Sequence, residues 1–149
     1  MLSLGVIHAR GGSKRIPRKN IKPLNGYPLI AYIVRSALSS QIDRVIVSTD
    51  DSEIAEIAKQ FGAEVPFMRP PEISEDVPSE QVTGHALEWA ESNENSSYDV
   101  VVTLQPTTPF IEPSHIDNCL EKLSNNLEIE SCFTAVRVTE PPQWMFAVE

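Results

Sequence analysis

The chain has 149 residues, the length of one ordinary domain, and its 41% apolar and 22% charged residues describe a globular protein and not a disordered one. No apolar run reaches the ~18 residues of a membrane span and the N-terminus has no signal-peptide pattern, so a cytoplasmic protein free of the membrane is expected. The net charge of −9 argues against a nucleic-acid surface, which would show a broad basic face.

The charge is segregated along the chain. Residues 1–42 hold seven of the 12 Lys and Arg residues and none of the 21 Asp and Glu residues. Residues 2–7 are an apolar run that predicts a buried first strand, with His8 at its end. Residues 9–20 (ARGGSKRIPRKN) predict a long loop at the C-terminal end of that strand, the edge where open α/β sheets bind ligands. The loop carries Arg10, Lys14, Arg15, Arg18 and Lys19, and Lys22 follows. Adjacent Gly11 and Gly12 let backbone N–H groups turn inward and form an anion-binding concavity. A polyphosphate is the anion that such a loop suits.

The rest of the chain alternates strand and helix patterns. Asn25-Gly26 marks a turn, and residues 28–40 predict a helix with Pro28 in its first turn. Val45, Ile46 and Val47 form the continuous β-branched centre of a second strand over 43–48, which suits a parallel sheet buried on both faces. A helix is expected over 52–61, with Asp51 as its N-cap and Gly62 as its stop. Residues 63–68 predict a third strand, followed by a proline-rich extended loop over 69–78. Residues 79–92 predict a helix, 98–104 a fourth strand, and Pro113 the start of another helix. Residues 132–138 predict a fifth strand. The alternation argues for a doubly wound, mostly parallel α/β sheet, a Rossmann-like three-layer α/β/α arrangement in one domain over 1–149. Cys119 and Cys132 lack C-x-x-C spacing and are expected as buried free thiols.

Walker A (G-x-x-x-x-G-K-[ST]) and the dinucleotide fingerprint G-x-G-x-x-G are both absent. Five segments instead match another pattern: Ala9-Arg10-Gly11-Gly12-Ser13-Lys14 with Pro17, Lys19 and Asn20; Asn25-Gly26; Val47-Ser48-Thr49-Asp50; Arg69-Pro70 with Glu72; and Leu104-Gln105-Pro106-Thr107-Thr108-Pro109. In this order and at this spacing they resemble the cytidylyltransferases that activate acidic sugars, the acylneuraminate (CMP-sialic acid synthetase-like) group. The run 14–20 is reminiscent of the pseudaminic-acid branch, and the QPTTP segment of the sialic and legionaminic branches.

The resemblance implies a reaction of CTP with a nine-carbon or related 2-keto sugar acid, giving a CMP-sugar and diphosphate with Mg²⁺ assistance. It implies that Arg10 and Lys19 hold phosphates and stabilise charge during displacement. Ala9, Gly11, Gly12, Ser13, Lys14 and Asn20 complete the nucleotide contacts, Arg69 and Ser79 read the cytosine, and Gln105 and Thr107 meet the sugar acid, with Thr108 in the same region. His8 is read as packing near the base pocket and not as an acid–base group. Asp50 is read equally as a site neighbour or a helix cap, His85 and His115 as structural or solvated, and Trp89 as core or interface. The segment Pro141-Pro142-Gln143-Trp144 resembles the approach to a dimerisation region, so a homodimer is expected of the full-length family.

The family draws its Mg²⁺ carboxylates and its sugar-carboxylate arginines largely from a later D-x-D-bearing segment. No metal ligand is assigned in this sequence, and a C-terminally truncated chain is expected. Two alternatives stay open: a Kdo-type or other sugar cytidylyltransferase, and a non-catalytic nucleotide-binding fragment.

Overall fold

A computed structural model describes residues 1–137 apart from residues 76, 95 and 127. Three parallel strands form its sheet: β1 (Ser3–His8), β4 (Arg44–Ser48) and β5 (Val100–Leu104), in the order β4-β1-β5. Val6 stands opposite Ile46 on one side and Thr103 on the other. A small antiparallel hairpin, β2 (Pro23–Leu24) and β3 (Tyr27–Pro28), turns through Asn25 and Gly26 at φ 47° and 84°. Two successive positive φ values are the signature of a type I′ turn, which Asn-Gly supplies at least cost.

Alternate side chains of the strands feed two cores. Ile7, Val45, Val47 and Leu104 pack against α1 (Leu29–Leu38), α2 (Ser52–Gln60) and α4 (Pro113–Asn125). Leu4, Val6 and Ile46 pack against Ala86 and Ala90 of α3 (Ser79–Glu94). Helices on both faces of a parallel sheet make the three-layer, Rossmann-like α/β/α architecture. Ser3 joins β1 to β4 at the base of the sheet. Its hydroxyl and backbone N–H both donate to Asp43 Oδ2, at 2.7 and 2.8 Å.

Several expected elements are modified. Pro28 lies in the hairpin as the extended N-cap of α1, so the helix begins one residue later. The strand expected over 63–68 reduces to a single parallel bridge, Glu64 to Ile46, with Val47 N–H donating to Glu64 C=O at 2.8 Å. Pro66 has no N–H to continue the ladder. The segment touches the end of β4 once more, where Arg69 N–H donates to Thr49 C=O at 2.7 Å. Residues 132–137 form no strand, and Val138 lies outside the described residues. Cys119 and Cys132 are free and half-buried. The Asp51 cap is present, its Oδ1 accepting from Ile54 N–H at 3.0 Å, and Gly62 ends α2. His115 is a cap as well: its Nδ1 accepts from Glu112 N–H at 3.0 Å.

Candidate active site

The C-terminal ends of the three parallel strands open into one cleft with two lobes. The larger, about 630 Å³, lies between Gly12, Ser13 and Lys14 of the basic loop, Asp50 after β4, and Pro71 and Ser74 of the proline-rich segment. The smaller, about 280 Å³, lies between His8 after β1, Lys19 and Asn20 of the loop, Ser79 and Val82 of α3, and Gln105 and Thr107 after β5. Arg10, Ser13, Arg69 and Glu75 line both lobes, so the two are continuous. The volume of the larger lobe falls in the range of small-molecule sites.

Residues from four separate segments therefore meet here. Of the twelve site residues expected from sequence, ten line the cleft; Ala9 and Gly11 do not. Ala9 is fully buried and its N–H donates to Ser48 C=O at 3.0 Å. Gly11 N–H donates to Asp50 Oδ1 at 2.7 Å. Both residues anchor the root of the loop to the end of β4. Asn20 is 4% exposed, and its amide Nδ2 donates to Arg10 C=O at 2.9 Å. It braces the loop across its width while lining the smaller lobe.

Arg18 has a different task from its neighbours. It sits at φ 54°, uncommon for a residue with a Cβ, and its guanidinium donates to the Asp51 carboxylate and to Glu53. These contacts tie the far side of the loop to the N-terminus of α2, and Arg18 is not among the residues that line the cleft. The Arg18 hydrogen bond is the main reason that Asp51 titrates below the usual carboxylate range. Lys19, next in sequence, reaches the cleft.

Arg69 is the buried cation of the site. Its Nε donates to Ser48 Oγ at 3.1 Å and its Nη2 to Ser48 C=O. Burial pushes its pKa down, the Asp50 carboxylate opposes that shift, and the charge of Arg10 adds to it. The charge of Arg10 thus weighs against that of Arg69 across the cleft, and the Asp50 carboxylate more than offsets it.

His8 is half-buried. Its Nε2 lies 3.0 Å from Thr83 Oγ1, and burial, with the charge of Arg69, brings its pKa down from 6.5 to about 4. The imidazole is uncharged near neutrality, in keeping with a packed strand-end residue. On the β5 side, Thr108 Oγ1 donates to Gln105 C=O at 2.7 Å, and Thr107 Oγ1 lies 3.5 Å from Gln105 Oε1. Sequence reading missed Glu75 and Ser74. They sit in an acidic, proline-rich stretch with no motif, and only the path of that stretch over the cleft gives them a role.

A metal site is not assembled by these side chains. Among the described residues no three His, Cys, Asp or Glu side chains are grouped to hold an ion. The Asp51 oxygens are taken by Arg18 and the α2 N-terminus, and one Asp50 oxygen is taken by Gly11. The described side chains thus form no ready-made three-ligand ion site, and no chemical step is assigned to a metal.

The cytidylyltransferase family profile matches residues 4–143. The chain belongs to this family. It is 41% identical over 148 residues to the pseudaminic acid cytidylyltransferase of Campylobacter jejuni, covering 98% of this chain and 63% of that protein. It is 35% identical over 150 residues to the CMP-N,N'-diacetyllegionaminic acid synthase of Legionella pneumophila, covering 100% and 64%. An N-acylneuraminate cytidylyltransferase of Danio rerio is 43% identical over 122 residues, covering 80% and 27%. The chain thus spans less than two thirds of the length of these curated relatives.

Solved structures support the fold. A CMP:2-keto-3-deoxy-manno-octonic acid synthetase complexed with CTP superposes with a TM-score of 0.69 at 23% identity, over 85% of this chain and 49% of that one. A cytidylyltransferase from Leptospira borgpetersenii superposes at 0.65 and 24% identity, over 85% and 50%. Among the described residues no helix is long and apolar enough to cross a membrane.

Proposed function

We propose that this chain carries the nucleotide-binding part of a cytidylyltransferase that activates a sialic-acid-type (nonulosonic) sugar acid. One observation carries the reading: Arg10 and Lys19 of the loop after β1, Arg69 of the proline-rich segment, Ser79 at the start of α3 and Gln105 after β5 line one continuous cleft. The names of the relatives at 35–43% identity supply the substrate class.

In this reading the anomeric hydroxyl of the sugar acid attacks the α-phosphorus of CTP. The new O–P bond forms as the α–β phosphoanhydride bond breaks, diphosphate leaves, and the hydroxyl proton is released. Such a transfer asks the protein mainly for positioning and charge stabilisation. Arg10 clamps phosphate oxygens in a planar fork, and Lys19 follows the developing charge as a mobile point cation. Gly12, Ser13 and Lys14 border the lobe that takes the leaving diphosphate. Arg69 and Ser79 flank the base, and Gln105 with Thr107 meets the sugar acid at the end of β5. Mg²⁺, a homodimer and a cytoplasmic location belong to the reading as expectations from the family.

The test is diphosphate release from CTP with pseudaminic, legionaminic and neuraminic acids as acceptors, against UTP as the control nucleotide. Acceptor-dependent release from CTP supports the reading. CTP binding without release under any acceptor limits this chain to nucleotide binding.

A further inference from the structure

His8 is the one ring at the end of β1 that faces the site. Thr83, one turn into α3, holds its Nε2 at 3.0 Å, and Thr83 Oγ1 lies 3.2 Å from Thr103 Oγ1 of β5. The imidazole is thus fixed to a hydroxyl relay that joins a helix to a neighbouring strand. It opens onto the smaller lobe beside Ser79 and Val82 of the same helix. The charged groups sharing that lobe are Arg10, Lys19, Arg69 and Glu75.

Three cations there already serve phosphate. The imidazole adds nothing to them near neutrality, because burial and the charge of Arg69 keep it unprotonated down to about pH 4. A neutral ring with one N–H and one bare nitrogen instead matches an uncharged polar edge. With Nε2 engaged by Thr83, Nδ1 is the ring atom available to a ligand. The basic loop bounds one side of the lobe and the start of α3 the other. With the base placed at Ser79 as in the function proposed above, His8 stands beside it in the same lobe.

We propose that His8 is a specificity-determining residue whose Nδ1 meets the base edge of the bound nucleotide, with Thr83 as the positioning residue that orients the ring. The inference deepens the nucleotide reading given above and rests on it.

Dissociation constants for CTP and for inorganic triphosphate, measured from pH 5.5 to 8, test it on the wild type, His8→Phe and Thr83→Val. His8→Phe keeps a ring and loses the nitrogens. It weakens CTP about three- to tenfold, the size of one neutral hydrogen bond, and leaves triphosphate within about twofold. Thr83→Val moves CTP affinity in the same direction by a smaller factor. The ratio of wild-type to variant CTP affinity stays flat across the pH range, since the ring does not titrate there and the ligand's own phosphate titration cancels.

Equal losses for CTP and triphosphate would overturn the proposal. So would an unchanged CTP affinity in both variants, or a ratio that climbs as pH falls through 6.5. Where His8→Phe does not fold, Thr83→Val and the pH ratio decide. Absence of CTP binding by the wild type removes the nucleotide reading itself, whereas CTP binding that is indifferent to both variants removes this inference alone.

Discussion

A Cβ placed on Gly11 would stand 2.6 Å from Asp51 Oδ2 and 2.9 Å from Asp51 Cβ. Real side chains do not approach so closely, so the loop root can rest against the cap of α2 only because residue 11 is a glycine. Asp51 in turn caps α2 and receives Arg18 from the far side of the loop. Asp51 thereby meets the root of the basic loop by close packing and its far side by hydrogen bonds, while Asp50 accepts the Gly11 N–H.

The two adjacent glycines accordingly differ in consequence. Gly11→Ala forces Asp51 or the loop to move; it costs about 1–3 kcal/mol, as overpacking does, and weakens CTP binding. A Cβ on Gly12 meets nothing within 4 Å, so Gly12→Ala stays within about 0.5 kcal/mol of the wild type. Thermal denaturation and CTP titration of the two variants check this pair. Equal behaviour would deny the close packing of Gly11.

The cations of the loop also separate into two groups. Lys19→Ala and Arg10→Ala weaken CTP about tenfold or more while leaving the denaturation midpoint near the wild-type value, because both side chains serve the cleft and not a core. Arg18→Ala does the reverse. It lowers the midpoint through loss of the contacts to Asp51 and Glu53 and changes CTP affinity less than either of the others. Calorimetric titration alongside thermal melts distinguishes the two classes.

Arg69 depends on Ser48. Removing the hydroxyl in Ser48→Ala leaves a buried guanidinium N–H without its 3.1 Å partner, at a cost of about 1–3 kcal/mol. Urea denaturation measures the loss. An unchanged midpoint would mean that Arg69 finds its partners elsewhere.

Stability against pH should show two windows. The folded-state pKa of His8, about 4, is below the usual 6.5. Between those values the unfolded chain binds a proton that the folded chain does not, so stability falls as pH drops from about 6.5 to about 4 and has no further His8 contribution below. His8→Asn flattens this part of the curve. The second window lies lower. Asp43 is held below its ordinary range chiefly by the Ser3 hydroxyl, and Asp51 chiefly by Arg18. Their contribution is complete above the unfolded carboxylate pKa and is lost as pH falls through the depressed folded values. Chemical denaturation from pH 3 to 8 on wild type and His8→Asn resolves the two.

Most of the site was legible because its residues lie in contiguous segments with distinctive chemistry. Two glycines, an excess of cations and a preceding apolar strand place the loop, and the β-branched run at 45–47 places β4 beside it. What escaped depends on contacts distant in sequence. Arg18 reads like its cationic neighbours until the fold sets Asp51 and Glu53 beside it. Asp50 could be read as a cap or a site residue; in the structure it takes the Gly11 N–H and lines the larger lobe, while Asp51 does the capping. The strand expected at 63–68 has the right apolar content, but Pro66 interrupts its ladder after one bridge. Glu75 carries no local signal at all, since its place depends on how residues 69–78 cross the cleft.

The most direct measurement is a calorimetric titration of this chain with CTP, UTP, ATP and GTP, repeated on Arg69→Met. The account predicts that the wild type prefers CTP over the other three and that Arg69→Met loses that preference, retaining a residual, less selective triphosphate affinity supplied by Arg10 and Lys19. Equal affinity for all four nucleotides, or no binding by a folded chain, would contradict the claim that this cleft is a cytidine nucleotide site.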